Sequence, residues 1–198
     1  GRIYRDLGHI TRQTRGFEEA IIYYHQAEEQ FNLALQTWQH PEAVTAERAD
    51  TLQDLAEVLL ALGDRRRVEE ILKQIGESIG EDYLIVPEQQ KVPAEGLPTQ
   101  YFSPLGKVEM LRGQLALADG KLEEYVQHFI IAYAYFMHFS TEAIEKATMV
   151  EYLYNHLLDE PLTRQQSLME TIRAWVAAHN FGVDVDPFVQ ALGDLLGV

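Results

Sequence analysis

Apolar residues recur every three or four positions along most of the chain, and glycines interrupt this pattern at intervals. This period is typical of amphipathic helices, because residues at that spacing share one face. The pattern predicts a first helix that ends at Gly16 and a second helix that follows at once. Glycine suits such a turn because it adopts left-handed dihedral angles without a Cβ penalty. The predicted element is a pair of helices packed against each other.

The predicted helix pair has small residues where two helices must touch and large residues beside them. The small residues are Gly8, Ala20 and Ala27, and the large ones are Tyr4, Leu7 and Tyr24. A similar pattern returns 48 positions later and then a further 57 positions later. Each copy also has a pair of glutamates, predicted in the first turn of its second helix, where the helix dipole favours acidic side chains. These pairs are Glu18-Glu19, Glu69-Glu70 and Glu123-Glu124.

Residues 4–27 resemble the tetratricopeptide repeat family, whose units are helix hairpins. The matching residues are Tyr4, Leu7, Gly8, Gly16, Phe17, Ala20, Tyr24 and Ala27. The second copy, at about 52–75, and the third, at about 108–132, resemble the family less closely. No proline closes the first copy, Arg112 takes an apolar place in the third, and the spacing exceeds the family's period of about 34 residues. The resemblance implies an all-α fold, a right-handed α-solenoid of about four helix-turn-helix repeats with a C-terminal capping helix.

The same periodicity predicts the remaining helices. The long offsets between copies predict either long helices, such as 17–39 and 41–62, or inserted loops, and a further helix is expected over 141–158. A capping box at 163–166 predicts the start of a helix that runs to Ala178, and Asp186-Pro187 predicts the start of the last helix. The residues predicted to face inward are Ile144, Ala147, Val150, Leu153, Leu157, Leu168, Ile172, Trp175, Val176, Phe188, Val189, Leu192, Leu195 and Leu196.

Three regions are predicted along one continuous solenoid. Residues 1–79 form two helix hairpins, residues 80–105 an irregular connection, and residues 106–198 two further hairpins and the terminal helix. The connection is predicted from four of the seven prolines, Pro87, Pro93, Pro98 and Pro104. A connection of this length is either a plain linker or a loop that docks a partner. Because the chain starts at Gly1 within a helical pattern, we expect it to be part of a longer protein.

The composition narrows the class of protein. The formal net charge of −15 disfavours nucleic acid as a partner, because phosphate binding needs a basic surface. No stretch approaches the roughly 20 apolar residues of a membrane span, and the N-terminus is too polar for a signal peptide. The chain has no cysteine, which excludes disulfides and thiol catalysis. We therefore expect a cytoplasmic protein that binds neither nucleic acid nor membrane.

No residue pattern points to catalysis or to a cofactor. The sequence has no phosphate-binding glycine loop, no His-Glu-x-x-His pair and no Gly-x-Ser-x-Gly elbow. Asp184-Val185-Asp186 resembles part of a calcium loop but lacks the glycine and glutamate that should follow, so a helix N-cap is predicted instead. The prediction is a protein that is not an enzyme and that holds no cofactor or metal. An aromatic run is predicted as core: Tyr133, Tyr135, Phe136 and Phe139.

The candidate partner-binding residues, here called the basic stripe, are Arg2, Arg5, His9 and Arg12. Their spacings of three and four place them on one face of the first helix. Guanidinium groups on such a face favour an acidic or phosphorylated segment of a protein or peptide partner. An ordinary solvated face has the same pattern, so both interpretations are kept. The run 65–67 of three arginines is interpreted either as an anion site or as a soluble turn and helix start.

The resemblance implies a protein-interaction module, in which a concave helical groove binds a partner segment without chemistry. Such a module would form the regulatory or scaffold part of a larger protein. The alternative is a sensor arm of a signalling ATPase or transcription regulator, in which the repeats restrain an effector domain. Some proteins of the family clamp a C-terminal carboxylate, but Gln53, Asp54 and Glu57 at the corresponding places of the second copy would repel one.

Overall fold

A computed structural model of the protein describes residues 1–37, 46–79, 102–139 and 143–198. Over these residues the chain is all-α, as predicted. The helices of these ranges are α1 (Arg2–Arg15), α2 (Phe17–Gln36), α3 (Ala46–Leu62), α4 (Arg65–Ile79), α5 (Phe102–Ala118), α6 (Leu122–Phe139), α7 (Ala143–Leu157), α8 (Leu162–Ala178) and α9 (Asp186–Leu196). Helices α2 and α3 correspond to the helices predicted over 17–39 and 41–62, whose residues 38–45 lie outside the described part of the chain.

The chain divides into two compact units, Gly1–Glu81 and Asp82–Val198. The first unit contains the hairpins α1–α2 and α3–α4, and the second contains the hairpin α5–α6 together with α7, α8 and α9. Helix α5 begins at Phe102, so residues 102–105 are helical and do not belong to the irregular connection predicted over 80–105. Pro104 fits there because the first turn of a helix does not need its amide hydrogen. The rest of that predicted connection lies outside the described residues.

The glycine turns between paired helices are as predicted. Gly16, Gly63 and Gly120 have φ angles of 97°, 82° and 75°, which suit a residue without a Cβ. Acidic pairs occupy the first turns of α2 and α6, also as predicted. The first turn predicted for α4 is wrong, because α4 begins at Arg65 and its first turn holds three arginines in place of the glutamate pair.

A glycine–aromatic contact holds α1 and α2 together. A Cβ placed on Gly8 would lie 2.6 Å from the ring of Tyr24, so the absence of a side chain permits this close approach. Ala20 and Ala27 are fully buried on α2. The prediction that these small residues lie where the helices touch is confirmed.

Two large residues of the same set are not core residues. Tyr4 and Leu7 are 36% and 40% exposed, so the prediction that they fill the helix interface is wrong. The reason is that α1 packs closely against α2 alone among the described helices of its unit, and Gly8 is its one buried residue. A helix covered on one side leaves its remaining apolar side chains in solvent.

Helix α9 completes the core of the second unit. It packs mainly against α7 and also contacts α8 and α6. The ring of Phe188 stacks on that of Tyr133, with centroids 4.7 Å apart. Four of the five inward residues predicted for α9 are buried, whereas Leu195 is 52% exposed. Among the described helices α7 packs mainly against α9. The solenoid stays a prediction.

Helix starts in the second unit differ from the predicted caps. Helix α8 begins at Leu162 with Pro161 at its N-cap, so the capping box predicted at 163–166 is not formed. Helix α9 has Val185 at its N-cap without a side-chain hydrogen bond. The amide of Asp186 donates instead to Asp184 Oδ1 at 3.0 Å, which forms a local turn before the helix.

Most of the other inward residues are confirmed. The buried ones are Val150, Leu153, Leu157, Ile172, Val176, Tyr133, Tyr135 and Phe136. Leu168 and Trp175 are half-buried and so are not core residues in the predicted sense. The side chains of Phe139, Ile144 and Ala147 lie outside the described part of the structure.

Candidate functional site

The basic stripe of α1 faces acidic side chains of α3. Arg2 Nε donates to Asp54 Oδ2 at 2.5 Å, and Arg5 Nη1 donates to Asp54 Oδ1 at 2.5 Å. Arg5 Nη1 also donates to Glu57 Oε2 at 3.1 Å. The side chain of Asp54 is 3% exposed, so two arginines balance a buried carboxylate. These two members of the stripe therefore form ion pairs with the neighbouring hairpin.

The ion pairs raise the pKa of both arginines. For Arg2, the hydrogen bond to Asp54 and the charge of that carboxylate are the main causes of the higher pKa. Burial of Arg5 lowers its pKa, but the charges of Glu57 and Asp54 outweigh that effect. The side chain of Arg2 is still 59% exposed, against 18% for Arg5. A ligand can therefore reach Arg2 more readily than Arg5.

His9 links the two hairpins of the first unit. Its Nε2 lies 3.1 Å from Glu57 Oε1, and its Nδ1 lies 3.1 Å from the hydroxyl oxygen of Tyr24. Because a carboxylate is only an acceptor, Nε2 donates to Glu57, and in the neutral ring Nδ1 accepts from Tyr24. Burial raises the pKa of Tyr24, which keeps its hydroxyl protonated and able to donate.

Arg12 differs from the other members of the stripe. Among the described residues its contacts are aromatic, whereas those of Arg2, Arg5 and His9 include carboxylates. Its guanidinium carbon lies 5.6 Å from the ring centroid of Phe17, within the range of a cation–π interaction. Its positive charge lowers the pKa of the Tyr24 hydroxyl, against the larger effect of burial, which raises it. Arg12 is therefore an exposed cation on the first hairpin.

The structure brings the basic stripe into contact with two acidic residues of the second copy, Asp54 and Glu57. From sequence, Asp54 and Glu57 are expected to repel a carboxylate, but in the structure both contact basic side chains of α1. The sequence does contain an indication of this ion pairing. Asp54 and Glu57 are three positions apart, so they share one face of α3, and their charge is opposite to that of the basic stripe. The stripe is therefore in part a seam between two hairpins. Its role in partner binding stays a prediction.

The arginines at the start of α4 also contact acidic side chains. Arg66 Nε donates to Glu70 Oε1 at 2.9 Å, and Arg67 Nη1 donates to Glu28 Oε1 of α2 at 2.5 Å. The predicted helix start is confirmed. These pairs favour the interpretation as a soluble helix start over that as an anion site.

Exposed apolar side chains are concentrated on α1 and α2, which was not expected from the sequence. Of the eleven large hydrophobic side chains exposed among the described residues, eight lie within residues 1–37. They are Ile3, Tyr4, Leu7, Ile10, Phe17, Ile21, Ile22 and Leu33. Ile3, Leu7 and Ile10 follow at spacings of four and three, so they form a row along one side of α1. We call these three residues of α1 the outer apolar row.

A buried ion cluster joins α5 and α6. The side chain of Glu109 is 2% exposed and accepts from Arg112 Nη1 at 2.7 Å. Nδ1 of His128 lies 2.7 Å from the other oxygen of the same carboxylate. Arg112, which takes an apolar place in the repeat pattern, is accommodated by this buried partner. The cluster stabilises the hairpin and offers little surface to a ligand.

Polar side chains line a cleft of about 470 Å³ between α6 and α8. Within the described residues, no group of three or more His, Asp or Glu side chains is placed to hold a metal ion. In the same part of the chain, no helix combines the length and apolar character that crossing a membrane requires.

Comparison of the chain with protein-family models, with curated proteins and with solved structures found no match. The resemblance to tetratricopeptide repeats therefore rests on the sequence pattern.

Proposed function

We propose that the protein is a protein-interaction module that binds a partner protein or peptide through the surface of α1 and α2. The observation that carries this proposal is the concentration of exposed apolar side chains on these two helices. Single exposed apolar residues are common, but a group of them marks a surface that another molecule covers. In this proposal the protein binds its partner without chemistry and without a cofactor.

Comparison with the second hairpin indicates that the exposed isoleucines of α2 serve a function other than folding. The 48-residue offset between the hairpins places Ile21 and Ile22 on Glu69 and Glu70 of α4. A hairpin of this kind therefore forms with charged residues at both positions, and solubility favours them there. Folding alone does not explain isoleucine at these places, whereas a binding surface does.

The basic stripe gives the proposed surface its preference for an acidic or phosphorylated segment. Arg2 and Arg12 are exposed and can donate to carboxylate or phosphate oxygens. They are about 15 Å apart along the helix axis, which one short segment can span. Arg5 and His9 would first have to leave Glu57, so they contribute less.

The test uses the full chain as bait and measures partner capture from cell lysate by quantitative mass spectrometry. The variant Ile10→Ser/Ile22→Ser changes two side chains that are 57% and 58% exposed. The matched control Leu162→Ser/Leu195→Ser changes two side chains of the second unit that are 56% and 52% exposed. We expect the first variant to lower capture about tenfold, a loss of about 1.4 kcal/mol, and the control to leave it unchanged.

The charge preference is tested by comparing Arg12→Glu with Arg15→Glu. The side chain of Arg15 is 70% exposed on the same helix, so its reversal controls for net charge. We expect Arg12→Glu to lower capture and Arg15→Glu to have little effect, with unchanged helical circular dichroism in both. Equal capture by the wild type and both serine variants would overturn the proposed function.

A further inference from the structure

The outer apolar row of α1 has a buried counterpart on α3. The 48-residue offset carries Leu7 onto Leu55 and Ile10 onto Val58. Leu55 and Val58 are 3% and 0% exposed, whereas Leu7 and Ile10 are 40% and 57% exposed. Equivalent positions are therefore core in the second hairpin and surface in the first.

The first hairpin packs against α3, which carries the counterpart of the row. Helix α2 packs against α3, and Asp54 of α3 accepts hydrogen bonds from Arg2 and Arg5 of α1. Asp54 and Val58 are one helical turn apart, so they lie on the same side of α3. The first hairpin thus meets α3 with one helix that packs on it and one helix that supplies arginines to Asp54.

The acidic residue beside the row is repeated as well. Asp6 occupies on α1 the place that Asp54 occupies on α3. The side chain of Asp6 is 59% exposed and lies 3.0 Å from Arg5, whereas Asp54 is 3% exposed and holds two arginines. A carboxylate has two acceptor oxygens, so Asp6 can take a second donor. Helix α1 thus exposes the same combination of an apolar row and a carboxylate that is buried on α3.

We propose that the outer apolar row is the binding site for a helical hairpin of the partner protein. One helix of that hairpin packs on Leu7 and Ile10, and the other brings an arginine or lysine to Asp6. Ile3 extends the row where α3 has Thr51, so the row on α1 is more apolar than its counterpart. This inference rests on the proposed function and names the kind of partner that the surface takes.

The test supplies a hairpin of this chemistry from the protein itself. The full chain is extended at its N-terminus by a second copy of residues 1–48, which places the added hairpin before α1 as α1–α2 stands before α3. The natural chain has no cysteine, so Ile10→Cys in the original copy gives a single labelling site. We expect the rate of alkylation at this site to fall about tenfold or more relative to the unextended chain.

Two controls test whether the fall in alkylation rate is specific to the outer apolar row. Ile22→Cys is a matched site, because its counterpart Glu70 keeps a side chain that is 59% exposed in the second hairpin. Its alkylation rate should not change in the extended chain. In the extended chain, adding Asp6→Lys to the original copy should restore the labelling of Ile10→Cys. Adding Glu18→Lys to the same copy reverses a charge elsewhere on the hairpin and should not restore it.

An unchanged rate at Ile10→Cys, whether the added hairpin folds elsewhere or stays unfolded, would overturn the inference. So would a rate that falls as the concentration of the unextended chain rises, because a second copy of this chain would then cover the row. The labelling does not involve the natural partner. A failure of partner capture would therefore overturn the proposed function and leave the labelling result in place.

Discussion

The hairpins α1–α2 and α5–α6 share one contact and differ in what surrounds it. A Cβ on Gly8 would lie 2.6 Å from the ring of Tyr24, and a Cβ on Gly113 would lie 2.8 Å from the ring of Phe129. The glycine precedes the aromatic residue by the same number of positions in both hairpins. Around this contact, α1 buries Gly8 alone, whereas α5 and α6 bury most of their apolar side chains.

The difference shows that the shared contact sets how two helices meet, while the other helices of each unit decide what becomes core. Helix α6 also contacts α7, α8 and α9, whereas α1 has one close neighbour among the described helices of its unit. As a result Tyr4 is 36% exposed, while Glu109 at the equivalent place of α5 is 2% exposed and ion-paired. The uncovered side of the first hairpin is the surface proposed to bind a partner.

The largest effect should come from Ala20→Arg, which breaks the first hairpin at its contact. Ala20 is fully buried, so the variant overpacks the interface and buries a charge. We expect the free energy of unfolding to fall by about 3–5 kcal/mol, measured by urea titration. Ile22→Arg, at a position that is 58% exposed on the same helix, should change it little. Equal stability of the two variants would contradict the assigned packing.

The next largest effect should distinguish the ion pairs of the two hairpins. Glu109→Ala removes the buried carboxylate between Arg112 and His128, and we expect a loss of about 2–3 kcal/mol because both partners are partly buried. Asp6→Ala removes an ion pair whose carboxylate is 59% exposed, and we expect a loss of about 0.5 kcal/mol or less. Thermal unfolding of both variants measures the difference. Similar losses of stability in the two variants would mean that burial does not make the ion pair of Glu109 stronger than that of Asp6.

A smaller effect should come from adding one methyl group at the shared contact. In Gly113→Ala the new Cβ meets the Phe129 ring and also lies 3.2 Å from the backbone oxygen of Tyr125. In Gly8→Ala all three nearest atoms belong to the side chain of Tyr24, so the new Cβ does not press on a backbone atom there. We expect losses of about 2 and about 1 kcal/mol, each already reduced by the better helix propensity of alanine. The reverse order in urea titrations would contradict this account.

The smallest effect should come from Tyr125→Phe, at the position equivalent to Ala20. Within the described residues the hydroxyl of Tyr125 is buried without a hydrogen-bond partner. We expect the variant to gain about 0.5–1 kcal/mol at neutral pH, whereas Tyr24→Phe, which loses the bond to His9, should be less stable than the wild type. A loss of stability in Tyr125→Phe would show that the hydroxyl has a partner.

The same tyrosine predicts a dependence on alkaline pH. Burial raises the pKa of Tyr125, and its folded form stays neutral where an unfolded tyrosine ionises, near pH 10. The stability tied to this group is therefore complete below about pH 10 and is lost as the pH rises above it. Tyr125→Phe should reduce that alkaline loss in unfolding experiments.

Local features of the fold could be predicted from the sequence because they depend on neighbouring residues. A glycine that ends a helix needs φ angles open to few other residues, which is why Gly16, Gly63 and Gly120 were predicted correctly. The helix period identified the apolar faces in the same way. The capping box at 163–166 failed because Pro161 starts the helix earlier.

The candidate site could be predicted only in part. The spacing of the basic stripe placed its members on one face of α1, but their partners Asp54 and Glu57 come from a helix about 50 residues later. Which side chains meet across that distance depends on how two hairpins pack. The exposed row on α1 was missed for the same reason, since its counterpart on α3 has the same periodicity and is buried.

By itself the sequence determined an all-α chain, the places of its glycine turns and the small residues at which paired helices touch. Each of these follows from the dihedral range or the size of one residue and its near neighbours. Only the tertiary structure decided that Leu7 and Ile10 are exposed while Leu55 and Val58 are core. The physical reason is that burial depends on which helix covers a face, and a period of three to four is the same in a covered face and an uncovered one.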